Sequence, residues 1–226
     1  MSGSGIMLPP LIVRSKSPID ILCGQNRQDG GTIRLDGRVL SGRPGRRSRM
    51  GLARTFQQPQ VADDLTLAEN ISVGLAGREL PGLLRILSRM GRDLFLPARR
   101  LDPRVRAAAE SVGLEQLDRL VGGVSFGEMR LVEVARALVA EPALMILDEP
   151  FPGVGDRGLE STLAALRGLR EAGHSVLLVD HNIDVVLDLA DQVSLLANGR
   201  IAFEGTPEAC RSSQVFRNVY LGEVPA

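Results

Sequence analysis

The sequence predicts an α/β fold with a mainly parallel sheet. Residues 144–147 and 175–179 are short, uninterrupted apolar runs, which are typical of strands buried on both faces of such a sheet. Between them, residues 158–172 have the apolar spacing of a helix that ends at Gly173. Because strands that alternate with helices are joined by crossover connections, we expect these strands to run parallel. The 226-residue chain is long enough to form one domain of this kind.

In the N-terminal part of the chain, turn signals separate short elements. Gly24 is predicted to end a helix, because glycine readily adopts the left-handed conformation of a C-terminal cap. Asp36-Gly37 is a strong turn signal after a short strand. In chain order we expect a helix end at 19–24, a strand at 32–35, a basic loop at 42–50 and a strand at 51–56.

The middle of the chain is predicted to be helical. Thr66 and Glu69 have the spacing of a capping box, in which each side chain accepts from the main-chain N–H of the other residue. Pro103 suits the first turn of a helix, where its missing N–H is not needed. In chain order we expect a helix from Thr66, an insertion at 77–100 that faces solvent, and helices at 102–112 and 128–139.

The C-terminal part is expected to contain a helix followed by a hairpin. Asn198-Gly199 is a turn of the kind that joins two antiparallel strands. In chain order we expect a helix at 183–190 and strands at 193–196 and 201–203.

Composition argues against several classes of protein. The formal net charge is zero, and no basic run indicates binding to nucleic acid or to anionic lipid. Cys23 and Cys210 match no metal-ligand spacing, which favours a reducing, cytosolic setting. No apolar stretch approaches the roughly 20 residues of a membrane-spanning helix. We therefore expect any association with a membrane to go through a partner protein.

Asp148 and Glu149 are the first candidates for a functional site. They follow the apolar run at 144–147, which places them at the carboxyl edge of the predicted sheet, where α/β proteins bind ligands. A magnesium nucleotide needs one carboxylate near the metal and another near the attacking water. We expect Asp148 in the first role and Glu149 in the second. The alternative is that the two acidic residues begin the next helix.

A second group of candidates completes an ordered series of motifs. Ser125-Phe-Gly127-Glu128 opens a predicted helix, and such a helix N-terminus favours an anion. The segment VSFGEMRLVEVARALVAEPALMILDEP resembles the signature motif and Walker B strand of ABC transporter ATPases. Gln57 in ARTFQQP is similar to the Q-loop glutamine of that family, and His181 in LLVDHN is similar to its switch histidine.

The resemblance implies a fold. It covers about residues 19–222 and implies a P-loop NTPase (RecA-like) core with an inserted ABC-type α-helical subdomain. The antiparallel strands that the family places first are expected to be largely missing, since the chain has no room for them. The implied single domain has a core at 1–65 and 130–203, a helical subdomain at 66–129 and a C-terminal tail at 204–226.

The resemblance also implies ATP and Mg²⁺ as cofactors. Glu149 would polarise the attacking water, His181 would hold the γ-phosphate, and Gln57 would couple the metal to a membrane subunit. Nucleotide contacts are implied for Lys16, Ser17, Ser125, Gly127, Glu128 and Asp148, and contacts with Mg²⁺ for Ser17, Gln57 and Asp148.

The subfamily and the partners are likewise implied by the resemblance. The insertion at 77–105 and the tail at 204–222 are similar to those of branched-chain amino acid importer ATPases. Such a subunit pairs with a second ATPase subunit and binds permease subunits at the cytoplasmic face of the inner membrane. It works indirectly with a periplasmic solute-binding protein and not with nucleic acid. Importers of urea or short amides share this layout, so the transported solute stays open.

The segment that should form the P-loop departs from the family pattern GxxxxGK[ST]. Lys16 and Ser17 keep the last two residue types, but Pro10 and Ser15 replace the glycines that let main-chain amides wrap a phosphate. No aromatic residue precedes Phe56 to stack on adenine. We therefore expect the chain alone to bind ATP weakly or not at all.

Three interpretations stay open. The chain is an ATPase subunit whose N-terminal segment still folds around phosphate, or an impaired subunit that only supplies Ser125 and Gly127 to a partner. The third is a frameshifted copy in which residues 1–18 are scrambled. The presence of Glu149 and His181 favours the third over the second, because both would serve this chain's own P-loop. A one-base shift upstream of codon 19 that restores GxxxxGK[ST] would establish the frameshift.

Overall fold

The structure, a computed structural model, describes residues 18–79, 101–197 and 199–220. They form two compact units. One comprises the described residues between 48 and 177, and the other comprises the described residues before 48 and after 177. The predicted P-loop segment at 10–17 and most of the predicted insertion at 77–100 lie outside the described residues. No helix in the described part is long and apolar enough to cross a bilayer.

The first described segment contains two short helices that flank a small hairpin. Gly24 follows the first helix with a φ of 76°, which confirms the predicted cap. Asp36 and Gly37 form the hairpin turn with φ values of 48° and 74°, as the turn signal predicts. The elements are α1 (Pro18–Cys23), β1 (Arg34–Leu35), β2 (Arg38–Val39) and α2 (Pro44–Arg49).

The predicted loop at 42–50 is wrong, because α2 occupies most of it. Pro44 suits the first position of a helix. Arg47 is buried and donates to the main-chain carbonyls of Ile21 at 2.6 Å and Leu22 at 2.7 Å. These carbonyls belong to the last turn of α1, where carbonyl groups have no N–H partner within the helix. A basic residue of α2 therefore satisfies the end of α1, which a reading of residues 42–50 by themselves does not reveal.

The larger unit combines helices with a three-stranded sheet. Strand β3 is parallel to β4, and the order of strands is β3-β4-β5. All five residues of β4 are buried, as predicted, whereas β5 is half-buried and exposed at Val179, so two-sided burial is wrong for β5. Edge strands have fewer residues to cover them. The elements are β3 (Leu52–Arg54), α3 (Leu67–Glu79), α4 (Pro103–Ser111), a 3₁₀ turn (Val121–Gly123), α5 (Phe126–Leu138), β4 (Leu144–Asp148), α6 (Gly155–Glu171) and β5 (Val176–Val179).

Side-chain caps begin three helices of this unit, and the first of these caps was predicted. Thr66 and Glu69 make the reciprocal bonds of a capping box before α3. Asp102 accepts from the N–H of Arg104 at 2.9 Å at the start of α4. Ser125 caps α5. Helix α6 begins three residues earlier than predicted, at Gly155 instead of 158.

The C-terminal segment forms a hairpin with three helices around a small apolar core. Strands β6 and β7 are antiparallel, which confirms the predicted hairpin, although Asn198 of its turn lies outside the described residues. Cys210 is fully buried in this core beside Leu187 and Phe216. The elements are α7 (Ile183–Leu189), β6 (Val193–Ala197), β7 (Arg200–Gly205), α8 (Pro207–Ser212) and α9 (Gln214–Tyr220).

Candidate functional site

Asp148 ends the buried strand β4, and its carboxylate is bound by an arginine of the neighbouring strand. Arg54 is paired in register with Ile146, two residues before Asp148. Because alternate residues of a strand share a face, Arg54 and Asp148 point to the same side of the sheet. Arg54 Nη2 donates to Asp148 Oδ2 at 2.7 Å, and both side chains are about 13% exposed. The carboxylate is thus fixed at the carboxyl edge of the sheet.

Glu149 has a main-chain conformation that is uncommon for its residue type. Its φ is 47°, in the left-handed region that favours glycine. The next helix, α6, begins only at Gly155, so Asp148 and Glu149 do not form the start of a helix. The interpretation of this acidic pair as a helix start is therefore wrong. Asp36, Gln116 and Glu141 have similar φ values, so the role predicted for Glu149 stays a prediction.

Gln57 has an exposed side chain, and buried side chains of α5 hold its main chain. Arg130 Nη2 donates to the Gln57 carbonyl at 2.5 Å, and Nη1 donates to the Phe56 carbonyl. Glu133 Oε1 accepts from the Phe56 N–H at 3.2 Å. The sequence reading missed Arg130 and Glu133. Two charged residues at buried positions of an amphipathic helix are the signal that could have indicated them.

Arg130 and Glu133 form an ion pair inside the protein. Their side chains are 0% and 1% exposed, and Arg130 Nη1 lies 2.9 Å from Glu133 Oε2. Burial lowers the pKa of Arg130 and raises the pKa of Glu133, and the opposite charge of each partner counteracts both shifts. Asp148 is also close enough for its charge to favour the charged form of Arg130.

Ser125 and Glu128 are bound to each other at the start of α5. Ser125 Oγ accepts from the Glu128 N–H at 3.2 Å, and Glu128 Oε2 accepts from the Ser125 N–H at 3.2 Å. Arg119 donates to Glu128 Oε1 at 2.5 Å, and this bond lowers the pKa of the carboxyl, with smaller contributions from Ser125. The capping box fixes the direction in which the helix presents its N-terminus, which is the part of the helix that attracts anions.

Gly127 brings two helices of the unit into close contact. A Cβ at this position would lie 2.9 Å from the Gly158 Cα of α6, closer than side chains pack. Gly158 faces it in return, with its own Cβ position 3.3 Å from the Gly127 Cα. The glycine of the predicted signature motif thus has a packing role that the motif alone does not reveal.

His181 lies in the other unit, between β5 and α7. Its side chain is 71% exposed, and its Nδ1 lies 3.8 Å from Asp180 Oδ1. Asn182, the next residue, caps α7 by accepting from the Val185 N–H at 3.4 Å. The histidine therefore stands in a solvent-accessible position after a strand, as its place in the sequence predicts, but that strand is not fully buried. Lys16 and Ser17 lie outside the described residues.

The residues present are of the type that a magnesium nucleotide requires. Mg²⁺ prefers carboxylate oxygens, and Asp148 presents a carboxylate at the sheet edge. The structure brings Asp148 together with Arg54, and it brings Arg130 together with the main chain of Gln57. Among the described residues there is no group of three or more His, Cys, Asp or Glu side chains that could hold a metal by themselves.

Known proteins are similar to this chain in sequence. The family model for ABC transporters matches residues 17–152. The chain is 31% identical over 207 residues to the high-affinity branched-chain amino acid transport ATP-binding protein LivG of Salmonella typhimurium, covering 89% of this chain and 80% of LivG. It is 32% identical over 205 residues to the lipopolysaccharide export system ATP-binding protein LptB of Haemophilus influenzae, covering 90% of this chain and 79% of LptB.

The fold is similar to that of a solved structure, a nucleotide-free ATP-binding cassette from an ABC transporter. The TM-score is 0.71 at 26% identity, and the match covers 91% of this chain and 82% of the other.

Proposed function

The chain belongs to the ABC transporter family as an ATP-binding subunit, and we propose that it powers the import of branched-chain or related amino acids. The proposed solute class rests on the 31% identity to LivG, which extends over 80% of that protein's length. The chain is also similar to LptB, whose name assigns it to lipopolysaccharide export, so the solute needs a direct test. Subunits of this family are peripheral to the membrane and work in pairs with permease subunits.

The proposed roles of the site residues follow from their positions. Asp148 and Gln57 would serve the Mg²⁺ of a bound ATP, together with Lys16 and Ser17. Glu149 would polarise the attacking water and His181 would contact the γ-phosphate. Ser125, Gly127 and Glu128 would complete the site of a second subunit through the N-terminus of α5.

A second candidate function is supported by the sequence at residues 10–17. Pro10 and Ser15 stand where the family has the glycines of its P-loop. A chain with a poor P-loop and an intact signature motif can still complete the site of a partner. It would then contribute to hydrolysis in a heterodimer and be inactive as a homodimer.

Binding of ATP by the purified chain separates the two candidates. A fluorescent ATP analogue is titrated into the chain with Mg²⁺. Low-micromolar affinity supports an ATPase subunit that binds nucleotide by itself. The absence of binding up to millimolar concentrations contradicts it and favours the partner-dependent subunit.

The second candidate is tested by mixing with a P-loop-competent ATPase subunit. Ser125→Arg places a bulky cation at the N-terminus of α5 and should abolish the ATPase activity that mixing produces. Thr66→Arg is a matched control, since Thr66 forms the same kind of capping box at α3 outside the site. Activity that survives Ser125→Arg would contradict the partner-dependent role.

The solute class is tested in proteoliposomes. The chain is reconstituted with permease subunits and a solute-binding protein of a branched-chain amino acid importer. We expect leucine to stimulate ATP hydrolysis and Glu149→Gln to remove the stimulation. Assembly without leucine-dependent hydrolysis, with an active LivG as the positive control, would argue against this solute.

A further inference from the structure

The main chain between β3 and Gln57 changes partners within two residues. The Thr55 N–H donates to the Ile146 carbonyl at 2.9 Å, so Thr55 still belongs to the sheet. The next N–H, that of Phe56, is bound by Glu133, and the carbonyls of Phe56 and Gln57 are bound by Arg130. Beyond Thr55, these main-chain groups are therefore attached to α5 instead of β4.

This attachment is difficult to separate because both charged groups are buried. A buried charge is tolerated only where it is paired and its remaining donors or acceptors are satisfied. Arg130 and Glu133 bind each other, Arg130 Nη1 and Nη2 donate to two main-chain carbonyls, and Glu133 accepts from one N–H. Of the polar side-chain atoms of this pair, only Arg130 Nε has no hydrogen-bond partner in the described part of the chain. Moving Phe56 and Gln57 away from α5 would leave two buried charges with missing partners.

The same helix carries the predicted signature motif. Arg130 follows Ser125 by five residues, a rise of about 7.5 Å along a helix. Arg136, further along α5, donates to the Gln60 carbonyl and so extends the attachment. The helix is regular from Phe126 to Leu138 and is capped at Ser125. A displacement of its N-terminus is consequently transmitted to the residues that bind the Gln57 main chain.

We propose that Arg130 and Glu133 are positioning residues that fix Gln57 to α5, so that Gln57 and the signature residues move as one body. The proposal rests on the proposed function of Gln57 and of Ser125. It gives a physical route by which an event at this chain's own nucleotide changes the helix end presented to the partner's nucleotide. Neither residue needs to touch the nucleotide.

Hydrogen exchange measures the attachment without nucleotide. The variant Arg130→Met/Glu133→Leu replaces the pair by apolar side chains, which buried ion pairs often tolerate without loss of stability. We expect the amides of residues 56–60 to exchange at least about tenfold faster, while those of β4 and α5 keep their protection. Unchanged protection at 56–60 would overturn the proposal.

A matched control addresses the general cost of removing a buried arginine. Arg47→Met removes a buried guanidinium that also binds main-chain carbonyls, but those of Ile21 and Leu22. Exchange at 56–60 should be the same as in the wild type. If the apolar double variant does not fold, Arg130→Lys keeps the charge opposite Glu133 and can bind fewer carbonyls. It should then give an intermediate exchange rate at 56–60, and wild-type protection there would contradict the proposal.

Kinetics test the consequence for Gln57 in the assembled transporter. The double variant should lower kcat about tenfold or more, as we also expect for Gln57→Ala, and leave the Kd for ATP within about twofold. Adding Gln57→Ala to the double variant should cause little further loss, because both changes remove the same positioned side chain. If the losses in kcat multiply in the combined variant, or if the Kd for ATP rises, Arg130 and Glu133 have a merely structural role. A wild-type chain without ATPase activity would refute the proposed function, and hydrogen exchange would still decide the attachment.

Discussion

Arg54 and Asp148 lie on neighbouring parallel strands, and the guanidinium of Arg54 donates to the Asp148 carboxylate at 2.7 Å. The Arg54 guanidinium also lies 5.2 Å from the centre of the Phe56 ring. The residue predicted to serve the metal is thus already bound to a cation of its own chain. Any magnesium nucleotide at this edge must share Asp148 with Arg54 or displace it.

The first prediction concerns the strength of this pair. Arg54→Met should lower the free energy of unfolding by about 2 kcal/mol, because the mostly buried Asp148 loses a charge-assisted hydrogen bond. Asp148→Asn alone should have a similar effect. In a double-mutant cycle measured by urea denaturation, the combined loss should fall short of the sum by about 1 kcal/mol or more. Additive losses would mean that the two side chains contribute independently.

The second prediction concerns a contact between α3 and α5. A Cβ on Gly74 would lie 2.1 Å from the main-chain carbonyl oxygen of Arg136, which no change of rotamer can relieve. Gly74→Ala should therefore cost about 3 kcal/mol of unfolding free energy, despite the better helix propensity of alanine.

Gly168 provides the matched control for Gly74, since it lies inside α6. Its added Cβ would meet only the Ser111 carbonyl, at 3.9 Å. Gly168→Ala should raise the free energy of unfolding by about 0.5 to 1 kcal/mol. Thermal unfolding of Gly74→Ala and Gly168→Ala measures both changes in the free energy of unfolding. Similar effects of the two substitutions would contradict the packing argument.

The contrast between local and distant interactions explains what the sequence could predict. The cap of α5 by Ser125 and Glu128 was predictable because both partners lie within one turn of each other. The buried strand β4 was predictable from an uninterrupted apolar run. The binding of Arg130 to Phe56 was not, because its acceptor is a main-chain carbonyl 74 residues away, and main-chain groups carry no sequence signal.

The same reason applies to the helix α2, which was predicted as a loop. Its glycine, proline and arginine content is typical of a loop when read locally. The structure supplies a distant reason for the helix, since Arg47 binds carbonyls 25 and 26 residues away in α1. The left-handed conformation of Glu149 is a further case. Only glycine, and less strongly Asn and Asp, indicate a positive φ in a sequence.

The third prediction separates strain at Glu149 from its chemistry. With φ at 47°, replacing Glu149 by glycine relieves a conformation that costs a non-glycine residue about 1 kcal/mol. Glu149→Gly should raise the free energy of unfolding by up to about 1 kcal/mol, less the entropy that glycine adds to the unfolded chain. ATP hydrolysis by the assembled transporter should be abolished.

Glu141 is the control for this strain, because it has a φ of 46° in the connection between α5 and β4. Glu141→Gly should give a similar change in stability and leave hydrolysis near the wild-type level. Chemical denaturation and a phosphate-release assay check the two variants. A loss of stability in Glu149→Gly alone would mean that contacts of the Glu149 side chain outweigh the strain.

The fourth prediction concerns the acid stability of the α5 N-terminus. The Arg119 hydrogen bond, aided by the capping bonds of Ser125, holds the pKa of Glu128 below its ordinary value of 4.5. A carboxyl whose pKa is lower in the folded state contributes stability that is complete above its unfolded pKa and is lost as the pH falls through its folded pKa. This contribution should be at most about 1 kcal/mol, because solvent screens the partly exposed pair.

Glu128→Gln should consequently be less stable than the wild type at pH 6, and the difference should shrink as the pH is lowered from about 4.5 towards 3. Arg119→Gln removes the largest cause of the lowered pKa of Glu128. The stability difference between the Arg119→Gln and Glu128→Gln variants should therefore be smaller, over the same pH range, than that between wild type and Glu128→Gln. Thermal unfolding at half-unit steps of pH measures both. A difference between wild type and Glu128→Gln that stays constant from pH 6 to pH 3 would mean that ionised Glu128 does not stabilise the start of α5, and that a neutral glutamine caps this helix equally well.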